Sequence, residues 1–292
     1  MDKYDLLCVG DLNLDLVTED IGDYPSPETQ LSTKIRAQIG GEATNTAVVG
    51  TKIGLKTALI APIAGDFAGK WLKTELGKLG LDRHLVRKRG KTAITMAIRL
   101  KKGDRAFITD NGVNELLSLK DIDKTLLLSS KHLFRGGYWH NKLLLNGGNT
   151  TLFKFEKQNN RQTSLGIGWN YRGWSDARRK QLFRALNYAD VLFLNKRELL
   201  SLMGGRSISS ACSKLMKFTK MVVVHLGAKG AYVCSRELSF KSPAVKLTVK
   251  NPVGSGDAFN AAFIKGLVNN WELRETAEYA NRVAAEYLQG KL

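Results

Sequence analysis

A chain of 292 residues, 43% hydrophobic and 25% charged, is long enough to bury a full core and ordinary in composition for a globular protein. Three scattered cysteines (Cys8, Cys212, Cys234) without a Cys-x-x-Cys, no apolar run near the ~18 residues of a membrane span, and an opening stretch unlike a signal peptide set the expectation of a cytoplasmic protein with no membrane association. The formal net charge is +18, although residues 1–50 hold 3 Lys/Arg against 9 Asp/Glu; without an aromatic-interleaved basic motif it reads as a solvated surface attractive to anionic small molecules rather than as a nucleic-acid interface.

Along the chain, Asp5–Gly10 reads as a buried strand, Ala43–Gly54 as a helix with a Gly stop, Lys56–Ile63 as a strand and Phe67–Leu79 as a helix. Thr92–Leu100 and Arg105–Thr109 flank a Lys102-Gly103-Asp104 turn and predict a hairpin. Then follow a strand at His132–Phe134, a helix at Leu143–Lys157, a strand at Thr163–Ile167, a helix at Asp176–Leu186, a strand at Val191–Leu194, a helix at Ser207–Phe218 and a strand at Met221–His225. Gly256–Val268 and Leu273–Leu288 close the chain as helices.

Strands alternating with helices of this length imply an α/β fold with a mostly parallel sheet covered on both faces. No Pro- or Ser-rich linker divides the chain, so one domain over residues 1–292 is expected. The hairpin breaks the alternation. It suits a small β lid drawn from about 12–38 and 92–109. Ligands of open α/β sheets bind beyond the carboxyl ends of the strands, which singles out Asp11–Asp15, Asn195–Glu198 and Gly227–Gly230.

The strongest local signal is Asn251-Pro252-Val253-Gly254-Ser255-Gly256-Asp257, a Gly-x-Gly turn running into a helix. Such a turn points free N–H groups at an anion, and the helix dipole favours negative charge there. Asp257 is then either a stabilising first-turn carboxylate or a base aimed at the group that attacks the anion. Three other site types lose support. Leu85 stands where a P-loop ending Gly90-Lys91-Thr92 needs its first glycine, Tyr171 breaks a Gly-x-Gly-x-x-Gly after Gly166, and the four histidines lack zinc-like spacing.

This segment resembles the second signature of the PfkB/ribokinase family of carbohydrate kinases, and five further stretches match the family in order. They are Gly10-Asp11-Leu12-Asn13-Leu14-Asp15, Gly40-Gly41-Glu42-Ala43-Thr44-Asn45, Gly65-Asp66 with Gly80-Leu81-Asp82, Asn195-Lys196-Arg197-Glu198, and His225-Leu226-Gly227-Ala228-Lys229-Gly230; Tyr279-Ala280-Asn281 resembles the helix bordering the adenine. The resemblance implies a ribokinase-like fold and ATP-dependent phosphorylation of a hydroxyl on a free sugar or polyol. A nucleoside or a sugar phosphate is the alternative acceptor within the family. Outside enzymes, the alternative is a basic nucleic-acid-binding or regulatory protein.

By the same resemblance, Asp257 is the catalytic base and Gly254, Ser255 and Gly256 form the anion hole. Asn13, Asp15, Gly40, Gly41 and Asn45 contact the acceptor. Asn195, Gly227, Gly230 and Asn281 contact ATP, and Glu198 with Asn195 faces Mg²⁺ through water. Asn251 replaces the aspartate that helps ligate a monovalent cation in potassium-activated members, so weak or absent potassium activation is expected. His225 replaces the usual threonine. Arg135, after the His132–Phe134 strand, reads as a surface arginine, with substrate-phosphate binding as the alternative. The edge of the lid makes a homodimer through it an expectation as well.

Overall fold

The computed structural model describes residues 2–100, 105–247 and 253–292; the predicted turn at 102–104 and Asn251 lie outside them. In chain order the first elements are β1 (Tyr4–Val9), β2 (Asn13–Asp20), β3 (Ile35–Gly40), α1 (Glu42–Lys52), β4 (Thr57–Ile63), α2 (Phe67–Gly77), β5 (Asp82–Arg87), β6 (Ala93–Arg99) and β7 (Arg105–Asp110). The middle of the chain forms α3 (Lys124–Leu128), β8 (Ser130–Arg135), α4 (Lys142–Leu145), α5 (Gly148–Gln158), β9 (Gln162–Gly166), α6 (Asp176–Leu186), β10 (Val191–Asn195), α7 (Lys196–Met203) and α8 (Ile208–Leu215). It ends with β11 (Met221–His225), β12 (Ala231–Ser235), β13 (Ser239–Ser242), α9 (Ser255–Val268) and α10 (Leu273–Leu288).

Nine strands form the main sheet in the order β13-β12-β11-β10-β9-β8-β1-β4-β5. The seven from β11 to β5 run parallel, and β12 and β13 turn antiparallel at one edge. Successive side chains in a strand point to opposite faces, and the core divides accordingly. Leu192 and Leu194 of β10 join Leu182, Leu199 and Leu215 from α6, α7 and α8. Val191 and Phe193 of the same strand join Ala47, Leu72, Phe263 and Ala280 from α1, α2, α9 and α10. The continuous apolar runs of β4 and β10 follow from this burial on both faces.

The segments expected to form a small second sheet do so, in the order β3-β2-β6-β7, with β2 and β6 parallel and the other pairs antiparallel. Its root is clamped to the main sheet by Asp66, the N-cap of α2. The Asp66 carboxylate accepts bonds from the Gly69 N–H (2.9 Å), the Thr92 N–H (2.8 Å) and the Thr92 hydroxyl (2.6 Å).

Two expectations need correction. Leu143–Lys157 is two helices rather than one, because the chain turns through Gly147 at φ 86° between α4 and α5. Arg135 is no surface residue: as the last residue of β8 it is 0% exposed. Its guanidinium donates to Asn149 Oδ1 (2.9 Å), to the Val9 carbonyl (3.3 Å) and to the Gly136 carbonyl.

Candidate active site

The loops after β1, β8, β9, β10 and β11 gather at the carboxyl ends of the parallel strands, and the N-termini of α1 and α9 converge on them. Asp257 sits in the first turn of α9, whose N-cap, Gly254, has φ 81°. A side chain at Gly254 would overlap the hydroxyl of Tyr287, so the tight turn requires glycine twice over. Asn45 Nδ2 donates to Asp257 Oδ2 at 2.9 Å. Burial pushes the Asp257 carboxyl up to about 8, against the pull of the Asn45 bond and reinforced by the charges of Asp11, Asp15 and Glu198.

Beneath the glycine turn lies His225. A Cβ at Gly256 would stand 3.3 Å from its Nδ1, and its Nε2 pairs with Asn260 Oδ1 at 3.0 Å. Burial lowers this histidine to about 4, and it packs as a neutral ring against Phe193 and Phe259. In this chain the residue in place of threonine therefore supports the turn through the core.

The end of the site expected to meet the acceptor is built by β2, β3 and the head of α1. Asn13 is bonded at both ends of its amide, to Thr95 Oγ1 (3.2 Å) and from Asn114 Nδ2 (2.7 Å). Two residues on, Asp15 is 6% exposed, and its Oδ1 has no hydrogen-bond partner among the described residues. A side chain at Gly40 would overlap the Asp15 carboxylate, which explains a glycine in the last position of β3. Burial, with help from the charge of Asp11, raises Asp15 to about 7. Gly41 caps α1, where a Cβ would crowd the Asp11 carbonyl.

The residues expected at the nucleotide end divide. Asn195 and Glu198 form a reciprocal capping box on α7: Glu198 N–H donates to Asn195 Oδ1 (2.9 Å), and Asn195 N–H donates to Glu198 Oε2 (2.8 Å). This leaves the second Glu198 oxygen outside the cap. Gly227, in the turn after β11, has open space beside it, whereas a side chain at Gly230 would overlap the Ser242 carbonyl. Asn281 Nδ2 donates to Ser242 Oγ (2.9 Å) and bridges α10 to β13, so its amide nitrogen braces the fold.

Sequence reading assigned no role to three charged residues that the structure brings here. Asp11 accepts the Ala43 N–H at 2.9 Å through Oδ1, holding the head of α1. Glu42, the first residue of α1, accepts the Gly137 N–H at 2.8 Å through Oε2. Desolvation lowers the Arg105 guanidinium of β7, and the charge of Asp257, close enough to be felt, opposes that shift. Asp11 and Glu42 stood inside matched motifs, but only the fold reveals which way they are used.

A family profile described as pfkB family carbohydrate kinase matches residues 3–291. The chain is 25% identical over 286 residues to a nucleoside kinase of Methanothermobacter thermautotrophicus, covering 96% of this chain and 88% of that one. It is 26% identical over 285 residues to an ATP-dependent ribose-1-phosphate kinase of Halopiger xanaduensis, covering 96% and 90%. Its fold is shared with the crystal structure of adenosine kinase from Sinorhizobium meliloti, at TM-score 0.85 and 20% identity over 98% of this chain and 94% of that one. Matched along nearly its whole length, the chain belongs to the pfkB family of carbohydrate kinases.

Proposed function

We propose that this chain is an ATP-dependent kinase that phosphorylates a hydroxyl of a free sugar or polyol. One observation carries the reading. Asp257, raised to about 8 and held by Asn45, stands at the head of a helix behind a glycine turn, within reach of the charge of the acceptor-side carboxylate Asp15. Phosphoryl transfer asks the protein mainly for positioning and charge stabilisation. Asp257 accepts the proton of the attacking hydroxyl, and its raised pKa makes it a stronger base than a solvated aspartate. The backbone N–H groups of Gly254, Ser255 and Gly256, which open α9, receive the charge that spreads over the transferred group. Asp15 and Asn13 orient the acceptor against Gly40 and Gly41.

Among the described residues no group of three His, Cys, Asp or Glu side chains can cage a metal ion. The residues present fit Mg²⁺ held by nucleotide phosphates and water, with the free oxygen of Glu198 and the side chain of Asn195 in the outer shell. Mg²⁺ there would neutralise phosphate charge. Gly227, Gly230 and the α10 face near Asn281 would border the ATP, and the smaller sheet would close over the acceptor to exclude water.

A nucleoside acceptor is the second reading, favoured by Trp169 and Tyr171 in the loop after β9. The two residues are 45% and 47% exposed, Arg197 lies 4.4 Å from the Trp169 centroid, and His140 stacks with Tyr171. A flat base would find a stacking surface there.

The test is ADP formation from ATP and Mg²⁺ with sugars, polyols, nucleosides and sugar phosphates, with Asp257→Asn run in parallel. Acceptor-dependent ADP that disappears in the variant is the expected result. Near-normal turnover in Asp257→Asn would remove the assignment of the base.

A further inference from the structure

A buried arginine stands behind the site without an ion pair. The Arg135 guanidinium is 0% exposed; among the described residues no carboxylate pairs with it, and its Nη2 has no hydrogen-bond partner. A cation buried on such terms is costly where an apolar side chain would not be, so its use lies in what it holds. Nε donates to Asn149 Oδ1 at 2.9 Å, at the head of α5. Nη1 donates to the carbonyls of Val9, at 3.3 Å, and of Gly136. The Gly136 N–H shares the Val9 carbonyl at 3.2 Å.

The Gly136 carbonyl and the Gly137 N–H belong to one planar peptide and point in opposite directions. Arg135 binds the first, and the second donates to Glu42 Oε2 at 2.8 Å. That bond needs only a lone pair on Oε2, so it forms with Glu42 ionised or neutral. Glycine on both sides, with Gly137 at φ 64°, gives the peptide little local resistance to turning over. Arg135 and Glu42 hold it in one orientation. The fit around it is close: a Cβ at Gly136 would stand 2.6 Å from the Ala43 nitrogen, and one at Gly10 would overlap the Gly136 carbonyl. The peptide therefore bears on the first turn of α1. Asp11 tethers the same turn, its carboxylate accepting the Ala43 N–H (2.9 Å) and its carbonyl the Thr44 hydroxyl (2.6 Å). The turn carries Asn45, whose amide donates to Asp257 at 2.9 Å.

We infer that Arg135 is a positioning residue: it fixes the Gly136–Gly137 peptide, which steadies the first turn of α1 and so keeps the Asn45 amide on Asp257. This role rests on the kinase reading, in which Asp257 is the base, and Arg135 fills it from behind the loop without meeting the acceptor. The charges that face Asp257 are those of Asp11, Asp15, Glu42, Glu198, Arg105 and Tyr287. Arg135 faces Asp11, Glu42, Tyr138 and His140. Its effect on Asp257 is carried by Asn45 rather than by its own charge.

The test titrates the Asp257 carboxyl by carbon NMR in the full chain, with the signal assigned through Asp257→Asn, and follows amide exchange in α1 beside it. Arg135→Met should raise the Asp257 pKa by about 0.5 or more, the direction expected when a bond to the ionised form weakens. Exchange across residues 43–46 should quicken about tenfold, with α6 unchanged. In an Asn45→Leu background the same substitution should move Asp257 by less than about 0.2, because residues that act through one bond are not additive. Arg135→Lys keeps the charge but cannot span both carbonyls and Asn149; it should shift Asp257 in the same direction, and it serves where Arg135→Met does not fold. With an accepted substrate, kcat should fall about fivefold or more in Arg135→Met with the acceptor KM little changed.

An unmoved Asp257 would overturn the inference, even beside a lowered melting temperature, since Arg135 would then only hold the fold. An equal shift with and without Asn45 would overturn it too, by showing the charge acting through space. Shifts that depend on Asn45, in a wild-type background that forms no ADP with any acceptor, would sustain the positioning of Asp257 and defeat the kinase reading.

Discussion

Asn45 on α1 and Asp257 on α9, 212 residues apart in the chain, share a hydrogen bond of 2.9 Å that ties the two helix heads forming opposite walls of the site. The bond favours the ionised carboxylate, while burial and the charges of Asp11, Asp15 and Glu198 oppose it. A base must be ionised to accept a proton, so kcat/KM for the acceptor should climb with pH through an apparent pKa well above the ordinary carboxylate value of about 4. Removing the stabilising bond in Asn45→Leu should push that limb to higher pH and lower kcat by about tenfold or more at pH 7. A wild-type limb near pH 4 would exclude Asp257 as the titrating base.

Gly254 takes φ 81° and leaves no space for a Cβ under the Tyr287 hydroxyl. Gly254→Ala should cost roughly 1–3 kcal/mol of stability and, on the proposed mechanism, more than tenfold in kcat, because it bends the turn whose N–H groups would receive the phosphoryl charge. Adding Tyr287→Phe should restore part of the melting temperature by opening space, but little of kcat, since the backbone strain persists. Thermal melts and single-turnover kinetics separate the two effects.

The outer face of the smaller sheet is apolar. Leu14 stands opposite Ile39 and Ile94, Leu16 opposite Met96, and Met96 opposite Ile108. Ile108 is 63% exposed and Met96 38%. An exposed apolar patch of this kind marks an interaction surface, and we expect two copies to pair through it. Sedimentation velocity should report a dimer for the wild type and a monomer for Ile108→Glu. A wild type that stays monomeric at tens of micromolar would refute the pairing.

Glu156 on α5 is fully buried, both its carboxylate oxygens lack partners among the described residues, and burial raises it to about 8 despite the nearby charge of Arg161. A carboxyl with a raised folded-state pKa contributes stability below its unfolded value of about 4.3 and loses it as pH rises through the folded value. Glu156→Met should therefore raise the melting temperature at pH 8.5, by an amount on the order of 2–3 kcal/mol in stability, with the gain shrinking toward pH 4.5. An equal gain at both pH values would show that Glu156 does not carry this proton.

Much of this protein was legible in the chain itself. A short continuous apolar run placed Met221–His225 as a strand buried on both faces, and the 3.6 period placed Asp176–Leu186 and Leu273–Leu288 as helices that each bury one repeating apolar face. The Gly-x-Gly-Asp turn and five other ordered motifs marked the family, since short backbone-driven devices are written locally. β5 escaped because an edge strand, Asp82–Arg87, is half-buried and has no alternation to read. β12 and β13 escaped because an antiparallel extension obeys no βα rhythm. Arg135 looked like any charged residue after a strand until the fold closed the Gly136–Gly137 loop over it. Glu42 was likewise one letter in a motif until α1 set its carboxylate against β8 and β9. Sequence alone determined the order of the elements with a strong apolar pattern and the chemistry available. Only the tertiary structure decided which charges face one another, because burial and through-space distance join residues that local periodicity cannot connect.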